Sequence, residues 1–153
     1  MITIRPASIT DVPLLFGMLQ ASAQDQGFPE SLSVTPEDLR QDGFGEQPRF
    51  YSLVAEVDGV AAGMALYYFD YSTWVSRNGI YLEDLYVDPQ FRRHGVARAL
   101  MRSLAQAARE RGCRRLHWLV HRENRSAIDF YRSAGAQTLD EWQMMKLDPE
   151  TVR

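Results

Sequence analysis

The sequence is poor in cysteine, in lysine and in long apolar runs, and each shortage excludes a class of protein. Cys113 is the only cysteine, so no disulfide can form within the chain, and a packed structural thiol is its expected role. No apolar run is long enough for a signal peptide or a membrane span. We therefore expect a cytoplasmic protein with no membrane partner.

Positive charge is carried almost entirely by arginine, since Lys146 is the only lysine, and the net charge is −3. A non-specific nucleic-acid binder needs an excess of positive charge, so we expect no nucleic-acid partner. The histidines His94, His117 and His121 lack the spacing of a metal site, so we expect no metal. With 153 residues, 45% of them hydrophobic, the chain is expected to form one domain over 1–153.

The spacing of apolar and turn residues predicts seven strands and four helices. Strands are predicted over 2–4, 50–57, 60–69, 81–87 and 115–120, with two short strands around Thr138 and over 142–147. Helices are predicted from Thr10 or Asp11 through Leu19, from Thr35 or Pro36 to near Gly43, from the 92–97 loop to about Arg111, and from 123–126 through Tyr131. A turn is expected over 42–45 and an aromatic-bearing connection over 70–78.

This order of elements indicates a mixed α/β fold. Antiparallel strands come first, and a crossover helix then joins two strands that must run parallel. The expected architecture is one mixed, mostly antiparallel sheet with helices on both faces. A ligand crevice is expected where the pairing changes from antiparallel to parallel.

The stretch over 81–101 carries the clearest functional pattern. A strand rich in β-branched and aromatic residues ends at Asp88-Pro89, because proline fixes φ and has no N–H for a sheet. A basic loop with Gly95 follows and opens into a run of helix formers. Backbone N–H groups and the positive end of the helix dipole would converge on one spot, which suits a phosphate group. The loop matches neither G-x-x-x-x-G-K-[ST] nor G-x-G-x-x-G.

The segment QFRRHGVA over 90–97 resembles the [RQ]-x-x-G-x-[GA] signature of the GNAT N-acetyltransferases, with Arg92, Gly95 and Ala97 in its fixed positions. The resemblance implies the GNAT fold and acetyl-CoA as the acetyl donor. It also implies that the backbone of this loop holds the pyrophosphate of acetyl-CoA. The loop residues assigned in this way are Arg92, Arg93, His94, Gly95, Val96, Ala97 and Arg98.

Further short motifs narrow the resemblance. DGFGE at 42–46, LVAEV at 53–57, YYF at 67–69, YLED at 81–84 and FY at 130–131 occur in the order typical of diamine acetyltransferases. These are the spermidine/spermine N1-acetyltransferases and the thialysine acetyltransferases, and the likeness extends from about residue 4 to residue 147. It implies a homodimer and a small-molecule amine as the substrate. The strand predicted over 142–147 is the expected pairing edge of that dimer.

Glu83 is the candidate base. Strict alternation along 81–87 places Glu83 and Leu85 on one face of the sheet, and Leu82 and Asp84 on the other. A carboxylate facing a crevice could attract an ammonium and take its proton, directly or through water. The resemblance implies the same role, as a substrate-contacting acid, and the alternative is a solvated strand carboxylate. Asp84 is expected to make structural hydrogen bonds instead.

Tyr131 is the candidate acid that protonates the departing thiolate. A phenol has an ordinary pKa of about 10, so it is protonated at neutral pH. The resemblance implies this role, because Tyr131 is the second residue of the family's F-Y pair. The alternative is a half-buried tyrosine of an amphipathic helix.

The resemblance also assigns the remaining binding residues. For acetyl-CoA it implies main-chain pairing with the pantetheine arm and a contact between the thioester carbonyl and the Val87 N–H. The residues of this group are Leu85, Tyr86, Val87 and Asn124. For the acceptor it implies a lining strand segment made of His117, Trp118 and Leu119. Without the resemblance, Asn124 reads as an ordinary helix N-cap and 85–87 as core.

Two positions depart from the diamine acetyltransferases. Asp25 and Gln26 stand where that family has a Tyr-Glu pair that contacts the polyamine, so a negative charge is kept and the aromatic ring is lost. Ser126 stands where the family has a proline. The acetyl-CoA half of the site is therefore better supported than the polyamine half.

The sequence thus predicts an acetyl-CoA-dependent N-acetyltransferase that acts by direct attack of a primary amine on the thioester. The expected acceptor is a small cationic metabolite, such as a polyamine, a diamine or a thialysine-like amino acid. The alternatives are transfer to a protein or peptide amine, and a non-catalytic module that binds acyl-CoA. Retention of both Glu83 and Tyr131 favours the enzyme, because a sensor needs neither.

Overall fold

A computed structural model describes residues 1–152, which form a five-stranded sheet and four α-helices. The strands are β1 (Ile2–Pro6), β2 (Tyr51–Val57), β3 (Val60–Ser72), β4 (Arg77–Val87) and β5 (Leu116–His117). The helices are α1 (Val12–Asp25), α2 (Pro36–Phe44), α3 (Val96–Glu110) and α4 (Arg125–Ser133). None of these helices is both long enough and apolar enough to span a membrane.

The five strands lie side by side in chain order. The pairs β1–β2, β2–β3 and β3–β4 are antiparallel, and β4–β5 is parallel. The parallel ladder is short and consists of Ile80 opposite Leu116 and Tyr81 opposite His117. The predicted mixed, mostly antiparallel sheet is therefore confirmed, although β5 is shorter than the predicted strand over 115–120.

The hairpin that joins β3 to β4 is longer than the sequence predicts. Its ladder runs out to Ser72 opposite Arg77, so most of 70–78, predicted as a connection, is strand. Only residues 73–76 form the turn, where Ser76 has a positive φ of 51°. Polar residues weaken the strand pattern here, but cross-strand pairing with β3 overrides that local preference.

Within residues 1–119, helices cover both faces of the sheet. On one face, α1 and α2 pack against a core that includes Val54, Met64 and Leu66. On the other face, α3 covers the alternate strand positions, such as Ala55 and Ala65, which are fully buried. We refer to these below as the α1 face and the α3 face.

Helix α2 begins at a capping box and ends at a close contact between Gly43 and Phe50. The Thr35 hydroxyl accepts the Asp38 N–H at 3.1 Å, and the Asp38 carboxylate accepts the Thr35 N–H at 2.9 Å. The helix then continues through 42–44, so the turn predicted over 42–45 is wrong there. A Cβ on Gly43 would lie 2.6 Å from the Phe50 ring, so glycine is needed for packing rather than for a turn.

Residues 120–152 contain α4 and a short 3-10 turn over Pro149–Thr151, but no strand. The strands predicted around Thr138 and over 142–147 are therefore wrong. Trp142 is 62% exposed, Met145 87% and Leu147 66%. A strand needs a neighbour for its backbone N–H and C=O groups, and no strand of the described chain pairs with this segment.

Candidate functional site

The edge of β4 that faces β5 is open over half its length. The ladder between the two strands ends at Tyr81 and His117, and β4 continues to Val87 with no strand of the described chain on that side. An extended ligand can pair with such an edge through main-chain hydrogen bonds. The predicted pantetheine-binding residues Leu85, Tyr86 and Val87 all lie in this open part.

The loop after β4 is shaped to receive an anion. Arg93 and Gly95 both have positive φ, 64° and 88°, and Gly95 forms the N-terminal cap of α3 in a left-handed conformation. The first backbone bond of the helix runs from the Ala99 N–H to the Gly95 carbonyl oxygen at 3.0 Å. The amides before that bond point out of the helix end, where the dipole is positive. These residues fit a pyrophosphate group.

Arg92, in the loop after β4, bonds to both the end of β4 and the end of α1. Its Nε donates to the Val87 carbonyl oxygen at 2.9 Å, and an Nη pairs with the Asp25 carboxylate at 2.6 Å. Its guanidinium carbon lies 5.9 Å from the centre of the Tyr86 ring. The end of α1 is thereby joined to the end of β4. Asp25 and Arg92, which the sequence predicts to contact different ligands, here contact each other.

A β-bulge interrupts β4 at Glu83. Leu66 pairs with Asp84 while the next residue of β3, Tyr67, pairs with Leu82, so Glu83 is an extra residue between them. Leu82 consequently lies on the α3 face and Asp84 on the α1 face. The prediction that strict alternation places Leu82 and Asp84 on the same face is therefore wrong. The Glu83 side chain is exposed at this bulge.

Asp84 faces a pocket of about 170 Å³ on the α1 face. The residues lining it are Leu19, Ser22, Ala23, Gln26, Phe28, Ser31, Leu32 and Asp84. Burial, and secondarily the negative charge of Glu83, raise the pKa of Asp84 to about 6. No residue within 1–152 donates a hydrogen bond to the Asp84 carboxylate or forms an ion pair with it. The structural hydrogen bonds predicted for Asp84 are therefore wrong.

His117 is held by an ion cluster at the other end of the same sheet face. Its Nε2 lies 2.6 Å from the Asp70 carboxylate, and Arg115 approaches that carboxylate at 3.2 Å. Burial would raise the pKa of Asp70, but the hydrogen bonds from His117 and Arg115 outweigh it and lower that pKa. A Cβ on Gly79 would lie 2.5 Å from Asp70, so only glycine leaves room for the cluster. The His117 ring also meets Tyr81 edge-on, with centroids 5.2 Å apart.

The last two predicted lining residues follow His117 directly. Trp118 and Leu119 come after the two residues of β5, outside the strand, and the Leu119 side chain is 62% exposed. They therefore lack the ladder bonds that fix the position of His117.

In the segment 120–152, α4 carries the other predicted site residues. The Asn124 side chain caps the helix by accepting the Ala127 N–H at 3.3 Å. Tyr131 follows seven positions later, almost two full turns, so both residues lie on the same side of the helix. Burial raises the pKa of the Tyr131 phenol above its usual value. Tyr131 therefore keeps its proton well above neutral pH.

Sequence reasoning missed three of these features: the bulge at Glu83, the pocket at Asp84 and the pairing of Asp25 with Arg92. Each depends on residues far apart in the chain. Two adjacent acids in a strand are a weak signal that could have prompted a search near Asp84. Within residues 1–152, no group of three His, Cys, Asp or Glu side chains is arranged to hold a metal ion.

Known proteins resemble the chain in sequence and in fold. A family model described as Acetyltransferase (GNAT) family matches residues 18–136. A thialysine N-epsilon-acetyltransferase of Sus scrofa is 35% identical, over 99% of this chain and 95% of that protein. Spermidine/spermine N(1)-acetyltransferase-like protein 1 of Homo sapiens is 32% identical, over 97% of this chain and 23% of that protein. A solved aminoglycoside acetyltransferase from an uncultured soil metagenomic sample shares the fold, with a TM-score of 0.75, 21% identity, and coverage of 95% and 97%.

Proposed function

Because the chain belongs to the GNAT acetyltransferase family and is an acetyl-CoA-dependent N-acetyltransferase, we propose that it acetylates a primary amine of a small cationic metabolite by direct transfer. The open edge of β4 above the anion-binding loop is the observation that carries the proposal. Relatives named for thialysine and for spermidine or spermine support an acceptor of this kind.

Acetyl-CoA supplies an acetyl group activated as a thioester. The main-chain groups of 85–87 would pair with its pantetheine arm, and the Val87 N–H would meet the thioester carbonyl. The loop over 92–98 would hold the pyrophosphate through backbone amides at the N-terminus of α3. Asn124 would contact the pantetheine arm as well, in addition to capping α4.

Two side chains would move protons. Glu83 is an exposed carboxylate at the bulge and would take a proton from the acceptor ammonium, directly or through water. The Tyr131 phenol, whose pKa is raised by burial, stays protonated at neutral pH and would give its proton to the departing thiolate.

The acceptor-side residues and the assembly complete the proposal. Gln26 lines the pocket at Asp84, whereas Asp25 would act through Arg92. His117, Trp118 and Leu119 would line the acceptor. A cytoplasmic homodimer is proposed in which the segment 142–147, with its exposed apolar side chains, pairs with a second copy.

The test is release of free thiol from acetyl-CoA in the presence of spermidine, spermine, 1,4-diaminobutane, thialysine, lysine or an aminoglycoside. We expect turnover with at least one of these amines. Glu83→Gln should lower kcat/KM by about 10²-fold or more, the usual contribution of a general base. Glu110→Gln, the same change at an exposed acid in α3, is the matched control and should have no effect.

Three outcomes are distinguishable. Turnover that Glu83→Gln retains would keep the reaction and remove Glu83 as the base. Tight binding of acetyl-CoA with no turnover on any amine would favour a non-catalytic acyl-CoA module. Acetylation of peptide amines in preference to all the small amines would favour the protein-directed alternative.

A further inference from the structure

The guanidinium of Arg92 is engaged by protein groups at the ends of α1 and β4. Its Nε donates to the Val87 carbonyl oxygen at 2.9 Å, and an Nη pairs with the Asp25 carboxylate at 2.6 Å. Its central carbon lies 5.9 Å from the centre of the Tyr86 ring. A phosphate would have to compete with a carboxylate and a carbonyl for this side chain. These contacts therefore differ from the pyrophosphate contact that the resemblance implies for Arg92.

The backbone groups of Val87 face the open edge of β4. The N–H of the next residue, Asp88, donates to the Ala62 carbonyl oxygen at 2.8 Å and so points towards β3. The carbonyl of the preceding residue, Tyr86, also faces β3, because a Cβ on Gly63 would lie 2.5 Å from its oxygen. Main-chain groups of successive strand residues point to opposite sides. The N–H and C=O of Val87 therefore both point away from β3.

Arg92 occupies one of the two main-chain groups that Val87 presents at this edge. The carbonyl oxygen accepts the arginine Nε–H, which leaves the N–H of the same residue as the group offered to an extended ligand. The peptide unit between Val87 and Asp88 is held on both sides, by Arg92 at its oxygen and by Ala62 at its nitrogen. A donor that must meet a developing negative charge is most effective when it is fixed before the reaction.

We propose, building on the function proposed above, that Arg92 is a positioning residue for the thioester rather than a ligand of the pyrophosphate. Its Nε fixes Val87 so that the Val87 N–H meets the acetyl carbonyl oxygen. As the amine nitrogen bonds to the carbonyl carbon and gives its proton to Glu83, the π pair moves to that oxygen, where the N–H stabilises it. The pair re-forms the C=O bond as the C–S bond breaks, and the departing thiolate takes the proton of Tyr131. Asp25 acts one step further away, by holding the guanidinium.

The atom that makes the contact with Val87 decides what each substitution of Arg92 should do. Glutamine has its Nε2 the same number of bonds from Cα as the arginine Nε, so Arg92→Gln keeps a donor at that position and loses the charge. Lysine has a methylene there, so Arg92→Lys keeps the charge and loses the donor. A ligand of the pyrophosphate needs the charge, whereas a positioning residue needs the donor. The two roles therefore rank the same two variants in opposite order.

The first measurement is the binding of acetyl-CoA and of CoA by isothermal titration calorimetry without any amine, so it does not depend on turnover. Both molecules carry the pyrophosphate, but only acetyl-CoA carries the carbonyl oxygen. Arg92→Lys should weaken acetyl-CoA binding by about 2- to 10-fold, as the loss of one hydrogen bond would, and leave the affinity for CoA within about twofold. Arg92→Gln should keep both affinities within about twofold of wild type. Arg109→Gln, at an exposed arginine in the last turn of α3, is the matched control.

The second measurement is steady-state thiol release with an accepted amine. Arg92→Lys should lower kcat by about 10- to 100-fold, and Arg92→Gln should retain kcat within about threefold, since removal of a direct oxyanion donor costs about 10²- to 10³-fold. Asp25→Asn should lower kcat in the wild-type background and have no further effect beside Arg92→Gln, because it acts only through the guanidinium.

The outcomes separate this inference from the proposed function. Absence of turnover with every amine would contradict the proposed function, and the comparison of acetyl-CoA with CoA would still decide the role of Arg92. Equal weakening of both molecules in Arg92→Lys or Arg92→Gln would overturn the inference, because it would assign the side chain to the shared pyrophosphate part. Better retention of acetyl-CoA binding or kcat by Arg92→Lys than by Arg92→Gln would overturn it as well.

Discussion

Residues 1–119 and residues 120–152 differ sharply in how they are stabilised. All the buried apolar side chains lie in the first region, among them Leu15, Met64, Leu100 and Leu104. In the second region no described residue is fully buried, and several large apolar side chains are more than half exposed. The proposed base and the anion-binding loop belong to the first region, and the proposed acid Tyr131 belongs to the second.

The side chains proposed to act in the reaction are therefore held in place by different structural elements. Asp84 is paired with Leu66 of β3, the bulge residue Glu83 is flanked by the paired residues Leu82 and Asp84, and the core lies below this part of the sheet. Tyr131 lies on α4, a helix of nine residues, which is shorter than an isolated helix needs to be stable in water. Substitutions in the first region should therefore alter stability, whereas substitutions in the second should alter activity with little change in stability.

The largest effect is expected for Tyr131→Phe. Removal of the phenolic hydroxyl should lower kcat by about 10²- to 10⁴-fold, the range for loss of a general acid. The free energy of unfolding should change little. Steady-state thiol release and urea unfolding check both statements, with Tyr71→Phe in the exposed hairpin as the matched control. Full activity of Tyr131→Phe would remove the proposed acid.

A matched pair of leucines tests the stability side of the comparison. Leu100 is fully buried in α3, whereas Leu147 is 66% exposed. Leu100→Ala should lower the free energy of unfolding by about 2–5 kcal/mol, and Leu147→Ala by less than about 0.5 kcal/mol. Urea unfolding at low protein concentration measures both. A large loss for Leu147→Ala would mean that its segment is packed in solution, as the proposed dimer requires at higher concentration.

Two aspartates of the first region should give opposite dependences of stability on pH. Arg5 hydrogen bonds lower the pKa of Asp11 from 3.8 to about 2. Between these two pKa values the unfolded chain binds a proton at Asp11 that the folded chain does not. Asp11 therefore contributes about 2 kcal/mol to the free energy of unfolding above pH 4, and this contribution is lost as the pH falls towards 2. Asp84 behaves in the reverse manner, since its pKa is raised from 3.8 to about 6. The folded state then holds the extra proton, so stability falls by up to about 3 kcal/mol as the pH rises from about 4 to about 6.

The measurement is the free energy of unfolding as a function of pH for wild type, Asp84→Asn and Asp11→Asn. Asp84→Asn should remove the decline between about pH 4 and 6 and leave the acid limb unchanged. Asp11→Asn should remove the loss of stability below about pH 4 and leave the decline between about pH 4 and 6 unchanged. A decline between pH 4 and 6 that persists in Asp84→Asn would assign the titration to another group.

The smallest effect on stability is expected at the ion pair between Asp25 and Arg92. Both side chains are nearly half exposed, at 47% and 48%, so solvent screens their attraction. Asp25→Asn should change the free energy of unfolding by less than about 1 kcal/mol. Because Arg92 also holds the end of β4, the KM for acetyl-CoA is the more sensitive readout. Asp58→Asn, which breaks the exposed pair with the N-terminus, is the control. A loss of several kcal/mol would show that the pair supports the core.

Local patterns allowed much of the first region to be predicted. Runs of strand-forming residues predicted β2 and the core of β4, and a basic glycine-containing segment before helix formers predicted the loop and α3. These features could be read because each depends on residues close together in the chain. The strands predicted around Thr138 and over 142–147 failed for the converse reason, since no described strand pairs with either segment.

The sequence by itself determined the family, the reaction and the candidate residues Glu83 and Tyr131, because each of these residues has a fixed position within a short sequence motif. Only the tertiary structure decided that Glu83 is an inserted bulge residue, that Asp84 faces a pocket without a cation, and that Asp25 is bonded to Arg92. The physical reason is the range of the interactions involved. A bulge depends on the register between two strands. The Asp84 carboxylate is shielded from water by side chains that lie more than fifty positions away along the chain.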